Sequence, residues 1–282
     1  MLNSIRHLAR SAYRKKLRWF PGAAPVSQAW LDWMHGPRVP VQGFSMRLDA
    51  PDSLGLRRSE IYEPLETRVV LREVREGMRV LDLGANIGYY TLLMARAVGP
   101  SGQVIAIEAD PSNFAILTDN VAHHSLSHTM PTHAAAAAQP GVLRLYQSAS
   151  NRGDNRLYDD GTQRRFCEVP AVTVDSLVPE GAVDFIKMDI QGGEAGAFAG
   201  MCALLERSAH VRMLTEYWPE GIEGAGGNPE GFLQGLVDAG FVLSLVEAGG
   251  DGVNLPEVKL AELNRERCRG GVNLLCVKGD AT

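Results

Sequence analysis

The sequence has no apolar run approaching the ~18 residues that a helix needs to cross a bilayer. It also has no excess of basic side chains: 28 Lys and Arg stand against 33 Asp and Glu, a net charge of -5. The first absence argues against a transmembrane segment, and the second against a nucleic-acid partner, whose binders present a basic face. The four cysteines, Cys167, Cys202, Cys268 and Cys276, include no C-x-x-C pair and no secretory spacing. Reduced thiols and a cytoplasmic location are therefore expected. No H-E-x-x-H zinc pattern occurs, although His124 and His128 stand four apart. Nor is there a G-x-G-x-x-G, the pattern that seats a dinucleotide pyrophosphate against bare backbone. Internal repeats are absent.

Residues 80–88 carry the strongest signal. They read Val-Leu-Asp-Leu-Gly-Ala-Asn-Ile-Gly, an apolar run ending in Asp82 and a turn holding Gly84 and Gly88. With the helical pattern over 89–98, the order is strand, tight glycine loop, helix, a loop whose backbone can approach a ligand. A second apolar run over 103–107 ends in Glu108, twenty residues past Gly88. An acid at that strand tip is placed to accept both hydroxyls of a ribose. Asp82 would repel a pyrophosphate but suits the ammonium end of a methionine moiety. D-x-G-x-x-x-G followed by a distant Glu is the pattern of S-adenosylmethionine binding, with a glycine turn of another α/β protein as the alternative reading.

The rest of the chain supports one large domain, residues 61–282, preceded by a helical extension or lid over 1–60. Arg6, Arg10, Arg14, Lys15, Lys16 and Arg18 make the opening basic, without the apolar stretch of a signal peptide. Leu2, Ile5, Leu8, Ala9 and Ala12 fall at helical spacing, so an amphipathic helix is expected there, packed on the domain or docked on a membrane surface or partner. Prolines and glycines through residue 60 predict short helices joined by turns. Beyond a helix over 66–75, strands are expected at 79–83, 103–108, 129–136, 183–188, 211–216, 241–246 and 272–277. Helices are expected at 89–98, 112–123, 194–206 and 229–239. This alternation predicts an α/β fold, a doubly wound, seven-stranded, mostly parallel, Rossmann-like sheet with an antiparallel last strand: the class I methyltransferase arrangement. Ligands of such sheets sit at the carboxyl ends of the strands, and Asp82, Glu108, Asp189 and Glu216 all lie at expected strand ends.

Residues 187–194, Lys-Met-Asp-Ile-Gln-Gly-Gly-Glu, are the best place for chemistry. Methyl transfer is an in-line displacement that needs a positioned nucleophile and a dry site. Asp189 at the strand tip is placed beside the transferring methyl, or is a turn residue. Glu194 joins it, or complements the dipole of the helix it opens. Lys187 orients an oxyanion or pairs with an acid. Oxygen ligands for Mg²⁺ exist in Asp189, Glu194 and Glu216, but their spacing is not diagnostic and no metal is expected. His35, His133 and His210 are base candidates on acidity alone. Glu66, in a segment from Tyr62 to Thr67 that precedes the first strand, belongs either to a lid over the cofactor or to a helix cap. The 217–218 aromatics are substrate walls or core anchors, and the glycine-rich stretch 221–227 is a mobile cover or a surface loop.

Together these blocks resemble the FkbM-type S-adenosylmethionine-dependent methyltransferases over about Tyr62 to Lys278. The match includes Tyr62-Glu63-Pro64, the 80–91 block, 98–104, Ile107-Glu108, Pro111-Ser112-Asn113, 172–177, 186–192 with Glu194, and 273–275. The resemblance implies O-methylation of a hydroxyl on a small molecule, natural product, sugar or glycolipid, with S-adenosylhomocysteine as the spent cofactor. It places Gly84, Ala85, Asn86, Gly88, Glu108, Ala109 and Asn113 at the cofactor, and Asp189 and Glu194 beside the methyl. Gln191 stands where the family usually has Glu, and Ala109-Asp110 where a Pro often follows the ribose acid. A homo-oligomer is compatible with this reading. An NAD(P)-dependent oxidoreductase and a non-catalytic S-adenosylmethionine-binding module are the rival readings.

Overall fold

The computed structural model describes residues 37–149, 151–249 and 252–279; the amphipathic helix expected in the first twenty residues lies outside them. The described chain begins with a hairpin, β1 (Val39–Val41) and β2 (Phe44–Met46), then turns into α1 (Pro64–Glu73). The core alternates through β3 (Arg79–Leu83), α2 (Tyr89–Val98), β4 (Gln103–Glu108), α3 (Pro111–His123) and β5 (Thr129–His133). A side sheet follows: β6 (Ala135–Ala136), β7 (Gly141–Gln147) and β8 (Arg165–Val172). The chain then runs through α4 (Val174–Leu177), β9 (Phe185–Met188), α5 (Glu194–Ala199), α6 (Cys202–Arg207) and β10 (Val211–Tyr217). Last come α7 (Pro219–Gly224), α8 (Pro229–Asp238), β11 (Val242–Leu245), a small hairpin of β12 (Glu247–Gly249) and β13 (Gly252–Asn254), and β14 (Val272–Lys278).

Seven strands form the central sheet in the order β11-β14-β10-β9-β3-β4-β5. Only β14 runs against its neighbours, pairing antiparallel with β10 and β11, as expected from the missing return helix. The order reverses between β3 and β9, so the ligand crevice of a doubly wound sheet falls at their carboxyl ends. Side chains alternate across the sheet. Leu81, Ile105 and Ile186 join the core under α5, α6 and α8, whereas Val80, Val104 and Phe185 join the core under α1, α2, α3 and the first hairpin. Two residues on, Asp82 and Lys187, and four on, Glu108, follow that second face to the sheet edge, where Asp82 and Lys187 are direct register partners.

Four expectations need correction. The described part of the extension, 37–60, is not helical: its hairpin sends Val41, Phe44 and Met46 into the core. It is tied down where the Arg47 guanidinium meets Asp119 at 2.6 Å and the Arg47 amide donates to Asn120 at 2.7 Å. The strand expected over 129–136 ends at His133, because Ala135 and Ala136 turn away to pair with β8. The helix expected over 194–206 breaks at Gly200, where a Cβ would lie 2.1 Å from the Ala137 carbonyl oxygen. The stretch 221–227 is not simply loop; its first part completes the short helix α7.

The glycine loop also has a reason that sequence spacing hides. Gly84 has φ 85°, and a Cβ there would lie 2.0 Å from the carbonyl oxygen of Asp189. Its bareness serves the crossing of two strand ends as much as any ligand. Gly84→Ala should therefore destabilise the fold by about 2 kcal/mol or more. Thermal denaturation checks this, and an unchanged midpoint would contradict the close crossing.

Candidate active site

At the carboxyl edge of β3, β4 and β9 lies a cleft of about 850 Å³, counting its open mouth. Of the expected cofactor residues, Gly84, Ala85, Asn86, Glu108, Ala109 and Asn113 line it, and so do Lys187 and Asp189.

Glu108 sits at the tip of β4. Its Oε2 accepts from the Asn86 amide at 2.8 Å and its Oε1 from the Asp110 amide at 2.7 Å. Each oxygen keeps further lone pairs for a ligand. Burial, reinforced by Asp110, pushes its carboxyl up to about 8. Among the cleft's lining residues, Asn86 Oδ1 and Asn113 Oδ1 are buried without a hydrogen-bond partner, and Arg152 Nη1 has only an ion pair with Asp110 at 3.7 Å. Unmet polar atoms on one cavity wall are what a polar ligand would satisfy. Apolar lining comes from Ala135, Ala136, Leu145 and Leu157. A polar rim facing an apolar slot fits a nucleoside: hydroxyls at Glu108, a flat base against the alanines and leucines.

The connection from β7 to β8 reaches this slot; the sequence marks 148–167 as a substrate loop, without placing it beside the cofactor residues. Arg152, Gly153, Asn155 and Leu157 reach the cavity from a run readable only as a polar loop. Asp110 draws it in. While Asp110 Oδ1 caps α3 through the Ser112 and Asn113 amides, its Oδ2 accepts from the side chains of Gln147 and Asn155. Farther out, Arg156 lies 4.8 Å over the Trp218 ring, so Trp218 is an anchor for this connection.

The other end of the cleft is an ionic cluster. Lys187 is 4% exposed, its Nζ 3.1 Å from Asp189 Oδ2 and 4.5 Å from the centre of the Tyr90 ring. Burial works against its charge, but Asp189, Glu63 and Asp82 outweigh that and hold it above the ordinary lysine range. Asp189 in turn lies below the usual carboxylate range: burial opposes its charge, and Lys187 and the Gln191 side chain, 3.0 Å from Oδ1, overcome it. Glu216 accepts from the same Gln191 amide at 3.3 Å; burial, then Asp189, pushes it up to about 9. Gln191 thus bridges the two carboxylates with a neutral donor, where a Glu would add a further negative charge. Among the described residues no group of three or more His, Cys, Asp or Glu is arranged to hold a metal ion.

Four expected site residues lie off the cavity wall. Asp82 is wholly buried; Oδ2 accepts from the Thr91 hydroxyl at 2.5 Å, Oδ1 has no partner, and burial pushes it up to about 6. It charges the floor instead of touching a ligand. Gly88 caps α2 with φ 95°, where a Cβ would meet Leu117 at 2.9 Å. Glu66 is held by the Asn273 amide of the last strand at 2.7 Å. Glu194 is fully buried and accepts from the amides of Ile190 and Gly192, each at 2.9 Å. Its two oxygens clamp the turn carrying Asp189 and Gln191, which is a structural role. Tyr62, Glu63 and Tyr90 gather around Lys187 in place of Glu66, although only the Tyr62 segment had drawn notice in the sequence.

A family model described as "Methyltransferase FkbM domain" matches residues 82–248. A protein-L-isoaspartate O-methyltransferase of Methanothrix thermoacetophila is 49% identical over 41 residues, 14% of this chain and 20% of that protein. One from Triticum aestivum is 29% identical over 147 residues, 50% of this chain and 60% of that protein. The chain thus spans less than two thirds of either relative. The crystal structure of methyltransferase FkbM from Methylobacillus flagellatus is 13% identical, covering 75% of this chain and 50% of that one, with a TM-score of 0.45.

The clamp is testable. Glu194→Ala leaves the Ile190 and Gly192 amides without this partner and should cost about 3 kcal/mol. Denaturant unfolding would show this, and a wild-type midpoint would mean the turn holds without it.

Proposed function

The chain belongs to the FkbM methyltransferase family, and from that premise we propose that it is an S-adenosylmethionine-dependent O-methyltransferase acting on a hydroxyl of a small molecule, natural product, sugar or glycolipid. The observation that carries the cofactor reading is Glu108, held at the β4 tip by two amides with the unmatched oxygens of Asn86 and Asn113 on the same wall. Those groups fit the two hydroxyls and polar edges of a nucleoside. S-adenosylmethionine, when bound, supplies a methyl group activated on a sulfonium.

In this reading the chain's own residues do the rest. Glu108 accepts the ribose hydroxyls, and the slot between Ala109 and Leu157 excludes water from the base. Asp189, kept charged by Lys187 and Gln191, accepts a hydrogen bond from the acceptor hydroxyl and raises the electron density on its oxygen. Lys187 holds Asp189 in place, and the acids around the ammonium keep this end of the cleft negative overall. The charged Asp189 carboxylate on the cleft wall disfavours the NAD(P) reading, because a pyrophosphate there would be repelled. Residues 61–282 form the catalytic domain and 1–60 its extension, of which 37–60 backs the core behind the glycine loop. No helix among the described residues is long and apolar enough to cross a membrane.

Calorimetric titration with S-adenosylhomocysteine tests this. Micromolar binding, roughly 8 kcal/mol, is expected, with no heat from NAD. Because the Glu108 carboxyl stands at about 8 without ligand, it is largely protonated at pH 7. Ribose hydroxyls donating to it favour the charged form and lower that value. Binding at pH 7 should then release a proton, measured as heat that varies with the buffer's ionisation enthalpy. Affinity should rise with pH and level off above about 8. Heat from NAD without heat from S-adenosylhomocysteine would overturn the reading.

A further inference from the structure

The cleft has two chemically different ends. The nucleoside end is accounted for by Glu108, Asn86, Asn113 and the β7–β8 connection. The far end, toward Tyr62, Tyr90 and Lys187, contains charge that nothing so far explains.

Glu63 is the centre of that puzzle. It is the N-cap residue of α1, a position where a side-chain oxygen normally accepts from the first turn's amides. Here the side chain makes no such bond. Instead the residue takes the left-handed conformation, φ 42° and ψ 76°, uncommon for a residue with a Cβ. Its Oε2 accepts from the Tyr90 hydroxyl at 2.9 Å. Tyr90 itself lines the cleft and lies under the Lys187 ammonium. Three tyrosine rings, Tyr62, Tyr89 and Tyr90, meet edge to face at 5.1 to 6.3 Å between centres. Aromatic walls beside a carboxylate are a setting that favours a cation.

The charge balance points the same way. Among the described residues Lys187 is the single cation of this cluster, and Asp189 already pairs with it. Glu63, Asp82 and Glu216 add further acids that act on one another and on Lys187. Burial raises the Glu63 carboxyl, and Lys187 offsets this only in part. A buried acid surplus costs free energy unless a counter-charge arrives. A ligand ammonium entering here relieves that cost; a ligand carboxylate would add to it.

We propose that Glu63, set in place by Tyr90 and walled by Tyr62, is the counter-ion for the α-ammonium group of the cofactor's amino-acid portion. This assignment rests on the cofactor reading above and gives Glu63 the role that sequence spacing suggested for Asp82. Asp82 is fully buried beneath the glycine loop with Thr91, whereas Glu63 is only partly buried and bonded to Tyr90, which lines the cleft.

The test compares two probes by calorimetry on the full chain. S-adenosylhomocysteine carries the ammonium; 5′-methylthioadenosine carries the same nucleoside without the amino-acid group. In Glu63→Gln, S-adenosylhomocysteine should bind roughly tenfold to a hundredfold more weakly, the loss of a hydrogen bond between charged groups. Methylthioadenosine should keep its wild-type affinity. Tyr90→Phe, which leaves the carboxylate but frees it, should show the same selective loss at a smaller size, and it serves if Glu63→Gln does not fold. Equal weakening of both probes, or no change for S-adenosylhomocysteine, overturns the assignment. Binding of methylthioadenosine but not S-adenosylhomocysteine by the wild type also overturns it. Binding of neither by the wild type retires the cofactor reading itself.

Discussion

One buried ammonium organises the working edge of this protein. Lys187 lies between Asp82, its register partner on β3, and Asp189 just past its own strand, with Tyr90 beneath it. Removing one side of such a buried pair typically costs several kcal/mol, because the remaining charge is stranded away from water. The strand ends, the start of α2 and the N-terminus of α1 are therefore held to one arrangement. Charge that would be a liability elsewhere is kept here in slight negative excess, which suits a site for a cationic ligand.

The turns around that ammonium are shaped by backbone crossings and carboxylate clamps. Gly84 passes against the Asp189 carbonyl, Glu194 closes the turn after β9 through two amides, and Glu108 receives the amides of Asn86 and Asp110. In each case a strand tip is fixed by groups from a neighbouring strand or turn, so site geometry and sheet register are one property. The side sheet adds what the central sheet lacks, a wall over the nucleoside end, drawn in by Asp110 through Gln147 and Asn155.

Much of the fold could be read from the sequence, and for a physical reason. Strands β3 and β4 and helix α2 occupy the expected residues, since buried parallel strands show as short apolar runs and their ends as Gly or acid. Glu108 was legible for the same reason: its place follows from strand length alone. For Asp82, Glu66 and Glu194 the sequence left the side chain's direction open, because spacing locates a residue at an edge without saying whether it faces the cleft or the protein; all three lie off the cleft wall. Glu63 was hidden because it resembles a helix cap, and only its backbone conformation and its bond from Tyr90 reveal otherwise. The polar run 151–155 was legible as a loop, but its attachment beside Glu108 was not, because its partner, Asp110, lies some forty residues away. Breaks at Ala134 and Gly200 likewise come from distant backbone, β8 and Ala137.

The most direct test of the central claim, that this edge is built for a cationic nucleoside, is a crystal structure grown with S-adenosylhomocysteine. The account predicts density in the cleft with the ribose on Glu108 and the amino group on the side of Glu63. A ligand lying elsewhere on the sheet, or one in the cleft with its ends reversed, would contradict it.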